Sequence, residues 1–119
     1  MDIEDEKKRI YERQAELCRI LAHPIRLHIL DNLRDGEKSV SELSEGIETT
    51  GANISTHLAV LRRTGVIAAR KEGQKVFYHV VFKDVYEAFT IMREVLKKIL
   101  TSENAEQQDI IDSMEDNNT

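Results

Sequence analysis

The chain has 119 residues, 40% of them apolar and 33% charged, a length and composition that fit one globular domain and leave little room for a second. No apolar run approaches the roughly 18 residues of a membrane span, and the opening MDIEDEKKRI lacks the apolar core of a secretory signal, so a cytoplasmic protein is expected. The net charge of −5 is segregated, because the acidic ends flank a body (Lys7–Leu100) that holds all 17 bases and only 12 of the 22 acids. An acidic total therefore does not exclude a nucleic-acid partner.

Taken in chain order, Ile10, Leu17 and Leu21, with Ala15 and Cys18 beside them, recur at helical spacing and predict a first helix over about Glu4–Leu21. Cys18 is the only cysteine, which rules out a disulfide within the chain or a cysteine-only zinc site. On an apolar helix face it reads as a small buried hydrophobe. A second helix starts at Pro24, aligns Ile25, Ile29, Leu30 and Leu33 on one face, and ends at Gly36. SELSEGI is a short third helix capped by Ser39 or Ser41, with Ser39 and Glu42 at capping-box spacing. The fourth starts at the cap Thr50, buries Ile54, Leu58 and Leu61, and stops at Gly65.

VIAARKEG and QKVFYHVV are β-rich runs around a turn at Glu72–Gly73 and read as a hairpin. Asp84 is expected to cap a last long helix to about Leu100, with Val85, Phe89, Met92, Leu96 and Ile99 as a coiled-coil-like seam. Ala88, Ile91 and Val95 widen that stripe beyond what one small domain needs, which points to a second subunit. Residues 101–119 are polar and acidic, with Ile110, Ile111 and Met114 as the only anchors, and are expected to be disordered. Four helices, a hairpin and a helix make a mainly α winged helix-turn-helix. The domain reading is residues 1–100 for DNA binding and dimerisation, and 101–119 as an acidic tail.

Turning 100° per residue from Ile54 places Ala52, Thr56, Ala59, Val60 and Arg63 on the opposite face of the fourth helix, with Asn53, Ser55 and Arg62 on its flanks. That face is small, polar and basic, as a major groove requires. Asn53 suits adenine, Thr56 a thymine methyl or a base-edge acceptor, and Arg62 and Arg63 phosphate or guanine. His57 leans toward the buried side, and both an internal hydrogen bond and a phosphate contact remain open for it. At the hairpin tip, Arg70, Lys71, Gln74 and Lys75 crowd around Gly73, as expected of a wing that grips phosphates or enters a minor groove.

These segments resemble the ArsR/SmtB family of winged-helix repressors over about Leu17–Leu100. LAHPIRLHILDNL is similar to the family's opening LadPtRlrIL, and HLAVLRRTGVI matches its HLxxLrxaGlv. The resemblance implies a homodimer through the first and last helices, with Ile10, Leu17, Leu21, Val85, Phe89, Met92, Leu96 and Ile99 at the interface. It also implies a palindromic double-stranded DNA operator, contacted by Thr50, Ala52, Asn53, Ser55, Thr56, His57, Arg62 and Arg63 and by the four wing residues. Two positions depart from the family: Gly51 stands where many members have Gln, and Glu48 where a turn glycine is common.

Metal-sensing members carry ELCVCDL at the third helix, and here Ser39 and Ser41 lie on its two cysteines. Hydroxyls stay protonated near neutral pH and bind thiophilic ions poorly. The family's other metal site, on the last helix, is matched by Asp84 at most, since Tyr86 stands where a His would be and Lys97 and Lys98 crowd the far end. His23, His28, His57 and His79 are scattered without ligand spacing. No metal, cofactor or catalytic residue is therefore expected. The leading reading is a dimeric transcriptional repressor. The alternatives are a protein–protein interaction module and a regulator answering an unidentified non-metal or redox signal.

Overall fold

The computed structural model describes residues 2–101 and 105–116. Helix α1 (Ile3–Leu21) is followed by α2 (Pro24–Asn32), α3 (Val40–Gly46) and α4 (Gly51–Thr64). Strands β1 (Ile67–Glu72) and β2 (Lys75–Val80) come next, then α5 (Asp84–Leu100) and α6 (Ala105–Asp116). The chain clusters into two compact units, Met1–Val81 and Phe82–Thr119.

In the first unit, α2, α3 and α4 enclose a small aliphatic core. Ile29, Leu30, Leu43, Ile54, Leu58 and Leu61 are fully buried, and Leu33, Ile47, Val66 and Ile67 are nearly so. Burial of each such side chain stabilises the fold by about 1.5–3 kcal/mol. Local chemistry sets the helix ends. Asp2 caps α1 through the Glu4 amide, and Pro24 fills the first position of α2, where its missing N–H costs nothing. His23 caps α2, its Nδ1 accepting from the Ile25 amide at 3.1 Å, which the sequence reading missed. Of the two candidate caps on α3, the structure uses Ser39. Its Oγ accepts from the Glu42 amide at 3.3 Å, while the Glu42 carboxylate accepts from the Ser39 amide at 3.0 Å. The Ser39 amide, and then the Ser39 hydroxyl, stabilise the Glu42 carboxylate and hold it below its usual range.

The hairpin pairs antiparallel from Ile67↔Val80 to Glu72↔Lys75. Gly73 at φ +61° takes the first central position of the turn and Gln74 has negative φ, the pattern of a type II′ turn. An isolated bridge joins Lys38 to Tyr78 by two backbone hydrogen bonds of 3.0 and 2.8 Å, tying the wing to the start of α3. That tie has no signature in the local sequence.

The second unit corrects two expectations. Lys83, not Asp84, precedes α5, without a side-chain cap, and Asp84 is the helix's first residue. There its charge still complements the helix dipole. The acidic tail, expected to be disordered, forms α6 over Ala105–Asp116. Within α6, Ile111 is buried, and Lys97 of α5 is ion-paired with Asp112 and, at 3.9 Å, with Glu115. Apolar anchors at helical spacing and one lysine that pairs with two acids give this short segment a reason to order. The remainder of the tail, residues 102–104 and 117–119, lies outside the described residues.

Cys18 is also corrected, since it is exposed. Of the expected interface positions, Leu21 is buried in the single chain and Leu17 is partly exposed. Ile10 is 60% exposed, Met92 66%, Leu96 44% and Ile99 54%. Val85 and Phe89 are half-buried. With Ile91 and Val95 also exposed, α5 carries a continuous apolar face open to solvent.

Candidate nucleic-acid interface

Helix α4 follows α3 as the second helix of a helix-turn-helix. Thr50 caps it, accepting from the Asn53 amide at 3.1 Å. Gly65, at φ +83°, ends it in the left-handed region, where a side chain would be strained. Ile54, His57, Leu58 and Leu61 face the core, which fixes the rotation of the helix. That rotation leaves Ala52, Ser55, Thr56, Ala59, Arg62 and Arg63 exposed. Of the expected contact residues, Ala52, Ser55, Thr56, Arg62 and Arg63 keep the outward placement.

Three others sit differently. His57 is a correction, because it turns inward and its Nδ1 accepts from Arg26 Nε at 3.2 Å. Its ring lies 4.5 Å from that of His23, tilted by 41°. Burial pushes the His57 pKa down, and the nearby His23 and Arg26 push it further the same way. A neutral imidazole that accepts a hydrogen bond inside the fold takes the first of the two roles left open for it. Thr50 is a cap. Asn53 is half-buried and its amide donates to Thr49 Oγ1 at 2.9 Å, which ties part of its hydrogen-bonding capacity to the turn.

Thr56 remains outward while its hydroxyl donates to the Ala52 carbonyl at 3.0 Å, an arrangement that occupies the hydroxyl proton. Gly51 needs no special space. A Cβ there would meet Ser44 and Val40 at 3.6 Å, ordinary contact with α3, so a side chain at this position would start toward α3.

The wing supplies the second part of the surface. Lys71, Gln74 and Lys75 are exposed around the turn. Arg70 is held differently, since its guanidinium makes a bidentate pair with Glu37, at 3.1 and 2.5 Å, and a 2.8 Å bond to Glu72. It also lies 5.0 Å from the centroid of the Phe77 ring. The guanidinium accordingly holds the Glu37 carboxyl below its usual range, and Glu37 and then Glu72 raise the Arg70 pKa. Arg70 thus clamps the wing to the loop before α3, and its charge is already answered. Sequence reasoning counted it with the free bases because its partner lies 33 residues away. Ser41, Gln74 and Lys75 line one shallow cleft, which places the wing tip beside the start of α3.

Among the described residues no group of three or more His, Cys, Asp or Glu side chains could hold a metal ion. Ser39, on the position of a family thiolate, is engaged as the α3 cap. Also among the described residues, no helix is long and apolar enough to cross a membrane.

A short core of three helices, a second helix with a small polar outer face, and a hairpin with basic residues at its tip define a winged helix-turn-helix transcriptional regulator. The family model described as "Bacterial regulatory protein, arsR family" matches residues 23–69. The HTH-type transcriptional regulator Rv0081 of Mycobacterium tuberculosis is 37% identical over 106 residues, which cover 88% of this chain and 93% of that protein. Its crystal structure superposes with a TM-score of 0.71 over 78% of this chain and 94% of that one. The transcriptional repressor BigR of Xylella fastidiosa is 32% identical with a TM-score of 0.65, over 80% of this chain and 96% of that chain. The homodimeric winged helix-turn-helix DNA-binding domain Mb0332 of Mycobacterium bovis is 28% identical with a TM-score of 0.70, over 84% and 93%. The chain belongs to the arsR family of bacterial transcriptional regulators.

Proposed function

We propose that the protein is a homodimeric repressor that binds a palindromic operator with both α4 helices in adjacent major grooves. The observation that carries this reading is the outer face of α4. Ala52 and Ala59 let the helix settle close to the bases, Ser55 and Thr56 present short polar groups, and Arg62 and Arg63 lie at its end. Lys71 and Lys75 take flanking phosphates, with Gln74 between them at the tip. Arg70, paired with Glu37, ties the wing to the loop before α3. Dimerisation is supported by the apolar face of α5, by exposed Ile10 on α1, and by the homodimeric state of Mb0332.

The signal that relieves repression is not a thiophilic metal at α3. Hydroxyls replace both thiolates, and one of them is spent on a helix cap. Excess Zn(II) or As(III) therefore leaves operator affinity unchanged, measured by fluorescence anisotropy; a marked loss of affinity contradicts this.

Footprinting on the DNA upstream of the protein's own gene tests the DNA reading. Two protected half-sites related by a two-fold axis, about one helical turn apart, are expected. Uniform protection without symmetry, or none at low salt, overturns it.

A further inference from the structure

A cleft of about 370 Å³ opens between α1 and α4, within the size range of small-molecule sites. Leu17 and Ile20 of α1 and Val60 of α4 form an apolar floor, while Arg13, Glu16 and Arg63 supply its charges. Both arginines are exposed and neither has an ion-pair partner among the described residues. Thr64, on the rim, has its hydroxyl engaged by the Leu61 carbonyl and the Val66 amide, so it offers little to a ligand. Two guanidinium groups against one carboxylate leave a single net positive charge over an apolar surface.

We infer that this cleft is an effector site for a small monocarboxylate with an apolar body, held by Arg13 and Arg63 and seated on Leu17, Ile20 and Val60. Guanidinium forks match carboxylates in geometry as well as charge. A single positive excess selects a monoanion over a neutral compound or a dianion. The site also has a route to DNA. Arg63 stands on the recognition helix, and in the function proposed above it binds DNA phosphate. A carboxylate that engages the Arg63 guanidinium withdraws it from DNA, and the two ligands then oppose one another. Linkage requires the opposition to be mutual: operator must weaken the acid by the same factor that the acid weakens operator.

The inference rests on the proposed DNA reading only for its regulatory consequence; the binding site stands without it. Octanoate, with 1-octanol as the uncharged analogue, serves as the probe. In isothermal titration calorimetry on the full chain, octanoate should bind once per chain and octanol at least about tenfold more weakly, since one unpaired charged hydrogen bond is worth that much. Arg13→Gln, which is not a DNA contact, should weaken octanoate about tenfold or more while leaving operator affinity in the absence of octanoate unchanged. Circular dichroism melting confirms that this variant folds. Saturating octanoate should weaken operator binding about five- to tenfold, within the usual range of allosteric coupling.

No octanoate heat up to millimolar concentration overturns the site, as does equal binding of octanol or full binding to Arg13→Gln. A change of dimer dissociation constant in Arg13→Gln with no octanoate binding also overturns it, and assigns the cleft to a second copy of the chain. Octanoate binding with no measurable operator binding leaves the site standing and sinks the DNA reading instead. If both ligands bind without affecting each other, the regulatory consequence is overturned.

Discussion

Arg70 and Lys75 sit five residues apart on one hairpin, yet their charges have different fates. Arg70 is neutralised by Glu37 and Glu72, while Lys75 is exposed at the tip. Each phosphate contact contributes about −0.9 to the slope of log affinity against log salt. Lys75→Ala should therefore flatten the operator-binding slope of a dimer by about 1.8, two contacts at that increment. Arg70→Ala should leave the slope nearly unchanged while lowering affinity through a looser wing. Anisotropy titrations across a salt series read both; a slope loss for Arg70→Ala equal to that of Lys75→Ala contradicts the clamp.

His57 gives a second residue-scale expectation. Its folded pKa lies below its ordinary value of 6.5, so the unfolded chain binds the extra proton first as pH falls. Its contribution to stability is complete above pH 6.5 and is lost as pH drops through the folded pKa. Melting temperature should fall with acidification in that window, and His57→Gln should reduce this dependence. An unaltered pH profile in the variant would place the titration elsewhere. The sequence could not decide the direction of His57, because three residues from Ile54 it sits 60° off the buried centre. Arg26, which settles the matter, comes from α2 and lies 31 residues away.

At the scale of elements, the helices whose ends carry local chemistry were legible. Thr50 and Gly65 bracket α4, and Ser39 with Glu42 starts α3. The elements missed depend on contacts between distant segments: the Lys38–Tyr78 bridge, the Glu37–Arg70 clamp, and the α5 lysine that pairs with α6. The two glycines that bound α4 should respond oppositely to alanine. Gly65→Ala forces a side chain into the left-handed region and should cost about 1 kcal/mol. Gly51→Ala meets only ordinary contacts and removes backbone freedom from the unfolded chain, so it should stabilise by roughly 0.5 kcal/mol. Urea denaturation measures both, and a stabilised Gly65→Ala would contradict the cap geometry.

For the whole molecule, the relevant asymmetry is between an apolar α5 face and a basic surface on the other unit. Met92 and Leu96 are exposed in the single chain, so charging them should leave the fold intact. A Met92→Glu, Leu96→Glu double variant should sediment as a folded monomer with a melting curve of its own and lose high-affinity operator binding, because each half-site alone is weak. A variant that remains dimeric would move the interface off α5.

In the proposed function the outer face of α4 and the wing act as one DNA-binding surface. Its most direct test is an anisotropy titration of the full chain against a fluorescent fragment of its own upstream DNA, run over a salt series beside a scrambled fragment. Specific binding should weaken steeply with salt, with a slope near −5 for about six phosphate contacts per dimer, and scrambled DNA should bind far more weakly. Equal affinity for both fragments, or binding indifferent to salt, would contradict it.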